Sequence, residues 1–314
     1  MIGGILEIAE SGRFLKLDRG FVVIEAERQE IGRVALDDID VLILGGGGAS
    51  VSSPLLSALA ERGAVTLLCG KNYAPLGLLL PIEGMGETAS RARAQIEATE
   101  PLKKRLWQKI VREKIARQAR VLSAKQKEAT AGNLGWLSKN VSSGDPDNKE
   151  AQAARKYWPE LFGDGFLRSD QDNPINGLLN YGYAILRSAV ARSVVGVGLL
   201  PQFGVKHRGP RDSFALADDL MEPYRPLVDA LVVSLLEAGI EKVNTAAKRE
   251  LARMLLVDVL TDRGTSTLSE ALHLSALSLV ESFVKKKERL CLPDPLTSVI
   301  GRVSPTSAPT ALCG

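Results

Sequence analysis

RARAQIEATEPLKKRLWQKIVREKIARQARVLSAKQK, residues 91–127, is where this 314-residue chain changes texture from short strands to long helices. Arg105, Lys109 and Arg112 recur there at i, i+4 and i+7, while Trp107, Val111, Ile115 and Leu122 fall on the opposite side of the same helix. One face packs and the other is cationic. The stretch carries 12 Lys and Arg against three Glu (Glu97, Glu100, Glu113), a local balance of +9, whereas the whole chain, with 40 basic and 37 acidic residues, nets only +3. The rest of the protein is therefore mildly acidic. Charge segregated in this way is the footprint of a contact with a polyanion.

Upstream, the first 80 or so residues read as strands with one helix. Phe14, Val22 and Ile24 lie in apolar-rich runs on either side of Asp18-Arg19-Gly20, a hairpin turn. Further strands are expected at 34–36, 41–44 and 65–69. Between the last two, Ser52-Ser53-Pro54 opens a helix that Gly63 closes: a Ser cap, Pro in the first turn, Gly at the end. The four glycines at 45–48 do not make a dinucleotide fingerprint, because Ser50 or Val51 stands where the third glycine belongs.

Downstream, helices are expected near 175–195, 214–238, 244–260 and 267–287, with a loop over 133–148 rich in Gly, Ser, Asp and Pro. The organisation is α+β: a small N-terminal β-rich domain over 1–84, a larger all-α domain over 85–292, and a flexible tail over 293–314 that carries no periodicity. At 45% apolar and 25% charged residues the chain can bury a core, which excludes wholesale disorder and a disulfide-stapled build. Cys69, Cys291 and Cys313 are too few and too scattered for a disulfide framework or a zinc knuckle. The N-terminus lacks the basic segment of a signal peptide, and the uncharged stretch Ser193–Val205, broken by glycines and Pro201, is too short to span a bilayer. A cytoplasmic protein with no membrane partner is expected.

The candidate chemistry is sparse and easy to place. Of two histidines, His273 lies inside an apolar helical run and reads as a packing or surface residue. His207 sits between glycines in the loop FGVKHRGP, 203–210, just ahead of an acid-bearing helix. In that helix Asp219 and Glu222 are three apart and Asp218 and Glu222 four apart, so either pair puts two carboxylates on one face. Such a pair needs a cation: a bound metal would serve, and so would Arg225, three residues after Glu222. Pro223 denies the helix a backbone donor, so a kink or boundary is expected at the acids. Glu150 stands at a helix start in NKEAQAARKYW, 148–158, where the helix dipole favours it.

Taken together, NKEAQAARKYW, the Gly-x-x-His loop and LADDLMEPYRP (216–226) resemble, in order and separation, the CRISPR-associated integrase that is the large subunit of spacer acquisition. NPINGLLNYGYAILR (173–187) and SVSSPLLSALAERG (50–63) resemble other segments of that family, so the likeness covers roughly residues 1–290. Its style suggests the branch found beside a single large RNA-guided effector nuclease, a type II system. The resemblance implies catalytic residues Glu150, His207 and Glu222. It also implies a Mg²⁺ or Mn²⁺ site of Glu150, His207, Glu222 and, by register, Asp219, with Asp218 adjacent. The activity implied is that of a metal-dependent DNA integrase and endonuclease, in which the 3′-hydroxyl of a foreign DNA fragment attacks the end of a repeat in an array. The partners implied are double-stranded DNA, a small ferredoxin-like adaptation subunit, a second copy of the chain meeting through the N-terminal sheets, and the effector nuclease. Lys206 and Arg208 make the histidine loop more cationic than the family pattern. The basic stretch then acquires an assignment: Arg91, Arg93, Lys103, Lys104, Arg105, Lys109 and Arg112 are expected on the DNA backbone, sequence-independent and salt-sensitive. The competing expectations are a stand-alone metal-dependent nuclease on branched DNA or RNA, and a non-catalytic DNA-binding scaffold.

Overall fold

A computed structural model describes residues 5–8, 10–39, 41–45, 48–70, 75–79, 81, 88–209, 212–261 and 264–300. The chain divides into two compact units, Met1–Gly86 and Glu87–Gly314. The first is built of strands β1 (Ile5–Ile8), β2 (Arg13–Asp18), β3 (Phe21–Ala26), β4 (Gln29–Ala35), β5 (Val41–Leu44), β6 (Ser50–Val51), helix α1 (Ser53–Glu61), β7 (Val65–Cys69) and β8 (Pro75–Leu79). They form two four-stranded sheets, ordered β4-β3-β2-β6 and β1-β5-β7-β8.

The hairpin at Asp18-Arg19-Gly20 is present: Asp18 pairs with Phe21, and both residues between them have positive φ, +47° at Arg19 and +83° at Gly20. That backbone matches the twist of the strands it joins. Leu15, Val22, Leu42, Leu55 and Leu59 are fully buried in one cluster where α1 covers the strands. Each such burial is worth about 1.5–3 kcal/mol. Ser52 occupies the N-cap of α1 and Pro54 its first turn, but the Ser52 hydroxyl makes no capping bond. Its carbonyl, accepting from Leu55 N at 3.1 Å, is what starts the helix.

In the second unit, α2 (Thr88–Ile96) leads to α3 (Glu100–Ala124), α4 (Glu128–Lys139), α5 (Lys149–Phe162) and α6 (Pro174–Gly196). These are followed by α7 (Ala215–Met221), a 3-10 turn (Glu222–Tyr224), α8 (Arg225–Glu237) and α9 (Thr245–Ala252). Trp107, Val111, Ile115 and Leu122 of α3 are buried, as the helical periodicity requires. Helix α4 runs through the start of the expected loop, because Ala131, Leu134 and Leu137 pack inward at helical spacing; the irregular chain begins at Asn140. The expected break at Pro223 is the 3-10 turn itself. Helices α6 and α8 approach closely at Gly182, where a Cβ would stand 2.5 Å from a Val228 methyl.

Two expectations for this unit are corrected. The helix expected over 244–260 ends at Ala252, and Asp258–Thr261 and Gly264–Thr267 pair as an antiparallel hairpin, β9 and β10. Val259 and Thr261 are buried and Leu260 is exposed, the alternation of a strand that the neighbouring helical pattern hides in the sequence. The unit is thus mostly, not wholly, helical. Helix α10 (Leu268–Val284) follows through a Thr267/Glu270 capping box and carries His273 on its exposed side. The chain expected as a tail from residue 293 is still packed as far as 300: Pro293 and Leu296 are buried and Leu296–Ile300 forms α11. Arg117 accounts for that anchoring. Only 2% exposed, it donates to the carbonyls of Pro223, Leu292 and Pro293 at 2.9, 2.6 and 3.1 Å. Cys291, in the same stretch, is disulfide-bonded. Among the described residues no helix is long and apolar enough to cross a membrane.

Candidate catalytic centre

Each expected acid of the centre is presented by a helix end. Asn148, in the left-handed conformation (φ +52°), caps α5 by accepting from Ala151 N at 3.2 Å. Asp145 accepts from the amides of Lys149 and Glu150 at 2.8 and 3.1 Å. This double cap fixes the first turn of α5 and with it Glu150. Glu222 opens the 3-10 turn between α7 and α8 and is buried there. The two carboxylates meet on one cation, since Lys114 Nζ of α3 lies 2.6 Å from Glu150 Oε1 and 2.6 Å from Glu222 Oε2. Arg225 Nε approaches Glu222 Oε1 at 3.0 Å. Burial by itself would raise the Glu222 carboxyl, but Lys114 and Arg225 outweigh it and hold the group below its ordinary pKa. Burial likewise opposes the Lys114 ammonium, and Glu222 and Glu150 reverse that, so the amine stays protonated.

The histidine loop is braced from behind. Gln95 of α2 binds the carbonyls of Leu200 and Phe203 and accepts from Leu200 N. Asp219, fully buried on α7, accepts from Lys206 N at 2.8 Å and meets His207 Nδ1 at 2.5 Å. The Trp107 ring stands edge-on to the imidazole, 5.9 Å between centroids. The hydrogen bond to Asp219 raises the His207 pKa above its ordinary value, against the desolvation that would lower it. With Nδ1 engaged, Nε2 is the ring nitrogen open to a ligand or a proton, on a side chain 48% exposed. Asp218 faces the other way, 2.5 Å from Arg187, which separates two acids that spacing leaves equivalent.

Glu150, Glu222, His207 and Asp219 therefore share one region, in two linked pairs: Glu150 with Glu222 through Lys114, and His207 with Asp219. Among the described residues no group of three His, Cys, Asp or Glu side chains is drawn tightly enough to enclose a metal. Of the basic residues, Arg93, Lys104, Arg105 and Arg112 are exposed and Lys103 is half-buried. Lys109 pairs with Glu288 at 3.2 Å, and Arg91 donates to the Val197 carbonyl at the end of α6. The sequence reading passed over Lys114, Gln95 and Arg117. Lys114 had a visible signal: with Trp107, Val111, Gln118 and Val121 it continues the packing stripe of α3, where a lysine must find a buried partner.

The chain thus has a β-rich unit followed by a helical unit, and the helical unit holds Glu150 and Glu222 on Lys114 and His207 on Asp219. The family described as "CRISPR associated protein Cas1" matches over residues 6–272. A CRISPR-associated endonuclease Cas1 of Neisseria meningitidis is 38% identical over 300 residues, covering 92% of this chain and 95% of its own. A Cas1 of Pyrobaculum aerophilum is 29% identical, covering 88% and 97%. Among solved structures, a casposase bound to integration product superposes with a TM-score of 0.79 at 23% identity, covering 92% of each chain. The Cas1 protein of Thermotoga maritima superposes with a TM-score of 0.70 at 17% identity, covering 89% of this chain and 97% of its own. The chain belongs to the Cas1 family.

Proposed function

We propose that this protein is a metal-dependent DNA integrase of CRISPR adaptation, joining the 3′-hydroxyl ends of foreign DNA fragments into a repeat array by transesterification. The observation that carries the reading is the convergence of Glu150 and Glu222 on one buried cation, beside a histidine whose Nδ1 is held by a buried aspartate. The donor set fits a divalent ion. Two carboxylates and an imidazole suit Mg²⁺ or Mn²⁺, and Glu222 Oε2 is buried without a properly directed hydrogen bond, although Lys114 Nζ stands close to it. Glu150, Glu222 and His207 would hold the ion, which when bound supplies Lewis-acid polarisation of the scissile phosphodiester. Asp219, with its oxygens already engaged by the loop, serves as the group that orients His207.

Arg225 keeps Glu222 ionised inside the protein. His207 would offer Nε2 to the ion while Nδ1 stays with Asp219. In the transfer, the fragment's 3′-oxygen bonds to phosphorus and loses its proton, while the bond from phosphorus to the repeat strand's 3′-oxygen breaks and that oxygen gains one. Arg93, Lys103, Lys104, Arg105 and Arg112 contact the duplex backbone. The partners in this reading are the fragment and the repeat array, a small ferredoxin-like subunit, the effector nuclease and a second copy of the chain, acting in the cytoplasm. The self-association is supported by β8, an edge strand with Leu76 and Leu79 exposed.

The test is strand transfer of a labelled fragment into a supercoiled plasmid bearing a repeat array, with Mn²⁺ or Mg²⁺ and the small subunit. Joined product that disappears with EDTA and with His207→Ala supports the integrase. Cleavage without joining indicates a stand-alone nuclease, and DNA binding with neither product indicates a scaffold.

A further inference from the structure

Lys114 stands where the two carboxylates of the centre converge. Its Nζ is equally close, at 2.6 Å, to Glu150 Oε1 and Glu222 Oε2, and its side chain is only 14% exposed. Its stem rises from the packed face of α3, between Val111 and Gln118, so the ammonium is aimed inward by the helix itself. We propose that Lys114 occupies the metal position of this centre when no metal is bound, and that a divalent ion enters by displacing its ammonium from Glu150 and Glu222. The proposal rests on the metal reading given above.

Three observations carry it. The Nζ–Oε2 contact is close, yet Glu222 Oε2 has no well-directed partner, so this half of the pairing rests chiefly on charge, which a stronger cation can replace. Lysine is a compact charge on a flexible stem that can swing away, whereas Arg225 is fixed over the Tyr183 ring, 4.9 Å from its centroid, and stays with Glu222. Lys114 also sits directly on the oxygens of Glu150 and Glu222, so a dication added without displacing it would stand against an ammonium there.

The experiment is Mn²⁺ titration of the full-length protein, reading free Mn²⁺ by electron paramagnetic resonance, for wild type and Lys114→Met, with thermal unfolding of both. The proposal expects Mn²⁺ to bind the variant at least tenfold more tightly. It also expects the metal-free variant to melt below wild type, with saturating Mn²⁺ raising its Tm by more than it raises that of wild type. Simple repulsion of the metal by Lys114 would tighten binding without lowering the metal-free Tm, and that result overturns the proposal. So does Mn²⁺ binding that is unchanged or weaker in the variant, which would make Lys114 only a structural pair. Where Lys114→Met fails to fold, wild type with ¹³C-methylated lysines serves instead: a Lys114 resonance that shifts with the Mg²⁺ titration supports displacement, and one that stays put overturns it. No Mn²⁺ binding by either form overturns the metal reading itself, and is told apart from the other outcomes by the silent wild type.

Discussion

Gly204 is the residue on which the histidine loop turns, and Gly204→Ala puts the account of the centre at risk with one methyl group. A Cβ there would lie 2.4 Å from the His207 carbonyl oxygen, 2.7 Å from Asp219 Oδ2 and 3.1 Å from the Ala215 Cβ. Reaching even 3.0 Å from the carbonyl needs a retreat of ~0.6 Å by backbone, not by the end of a flexible side chain. The displaced groups are the backbone of His207 and the carboxylate that orients its ring. Overpacking of this kind costs about 1–3 kcal/mol. In a unit of this size that lowers Tm by roughly 2–12 °C. Displacement of a reacting group by about 1 Å costs about a hundredfold in rate. The assay is single-turnover strand transfer well below the lowered Tm, together with thermal unfolding and DNA affinity. The expected result is a rate down about a hundredfold, a modest fall in Tm and DNA binding within threefold of wild type. A variant with the wild-type rate and Tm would refute the packing argument and, with it, the claim that Asp219 and the loop set His207.

Three further outcomes follow from named contacts. Glu222→Gln removes the carboxylate that faces both Lys114 and Arg225, leaving Lys114 with Glu150 alone and Arg225 without its ion pair, so it should abolish joining and destabilise by roughly 3–5 kcal/mol in urea unfolding; stability equal to wild type would contradict the ion-pair geometry. Arg105→Glu with Arg112→Glu should weaken duplex binding and flatten its salt dependence by about two units of slope in a log–log plot, and an unchanged slope would remove these residues from the DNA contact. Asp229, fully buried between the hydroxyls of Tyr157 and Tyr183, is raised by burial from 3.8 to about 6. Between those values the folded chain binds a proton that the unfolded chain has released, so this group's contribution to stability is full below pH 3.8 and declines as pH rises through 6, by ~3 kcal/mol. Asp229→Asn should lose that decline, gaining on wild type across pH 4–6 in urea titrations; parallel curves would contradict it.

The parts of this protein legible from sequence are those written in local punctuation. Asp18-Arg19-Gly20 announces its hairpin because backbone geometry restricts which residues can turn there, and Pro223 announces the break at Glu222 because it lacks an amide. The packed face of α3 follows from spacing alone. What stayed hidden depends on chain brought together over long separations. In sequence Lys114 and Arg117 are two more charges of the basic stretch 91–127, yet one is bound to acids 36 and 108 residues away and the other holds the carbonyls of residues 223, 292 and 293. No pattern within α3 names those partners; only the inward register of the two side chains hints at them. The same applies to Asp218 and Asp219, neighbours in sequence whose side chains reach Arg187 and His207 respectively. The β9–β10 hairpin was masked because its apolar residues continue the texture of the helices around it.

The central claim is that a 3′-hydroxyl, not water, attacks the repeat phosphodiester at the centre formed by Glu150, His207 and Glu222. The measurement that addresses it most directly compares two labelled fragments, identical except that one ends in a 3′-hydroxyl and the other in a 3′-deoxynucleotide, incubated with the protein, Mn²⁺, the small subunit and a repeat-bearing plasmid. The account predicts label covalently joined to the plasmid from the first fragment, none from the second, and none from either with Glu150→Gln. Plasmid nicking that proceeds equally with both fragments, with no joined label, would contradict it.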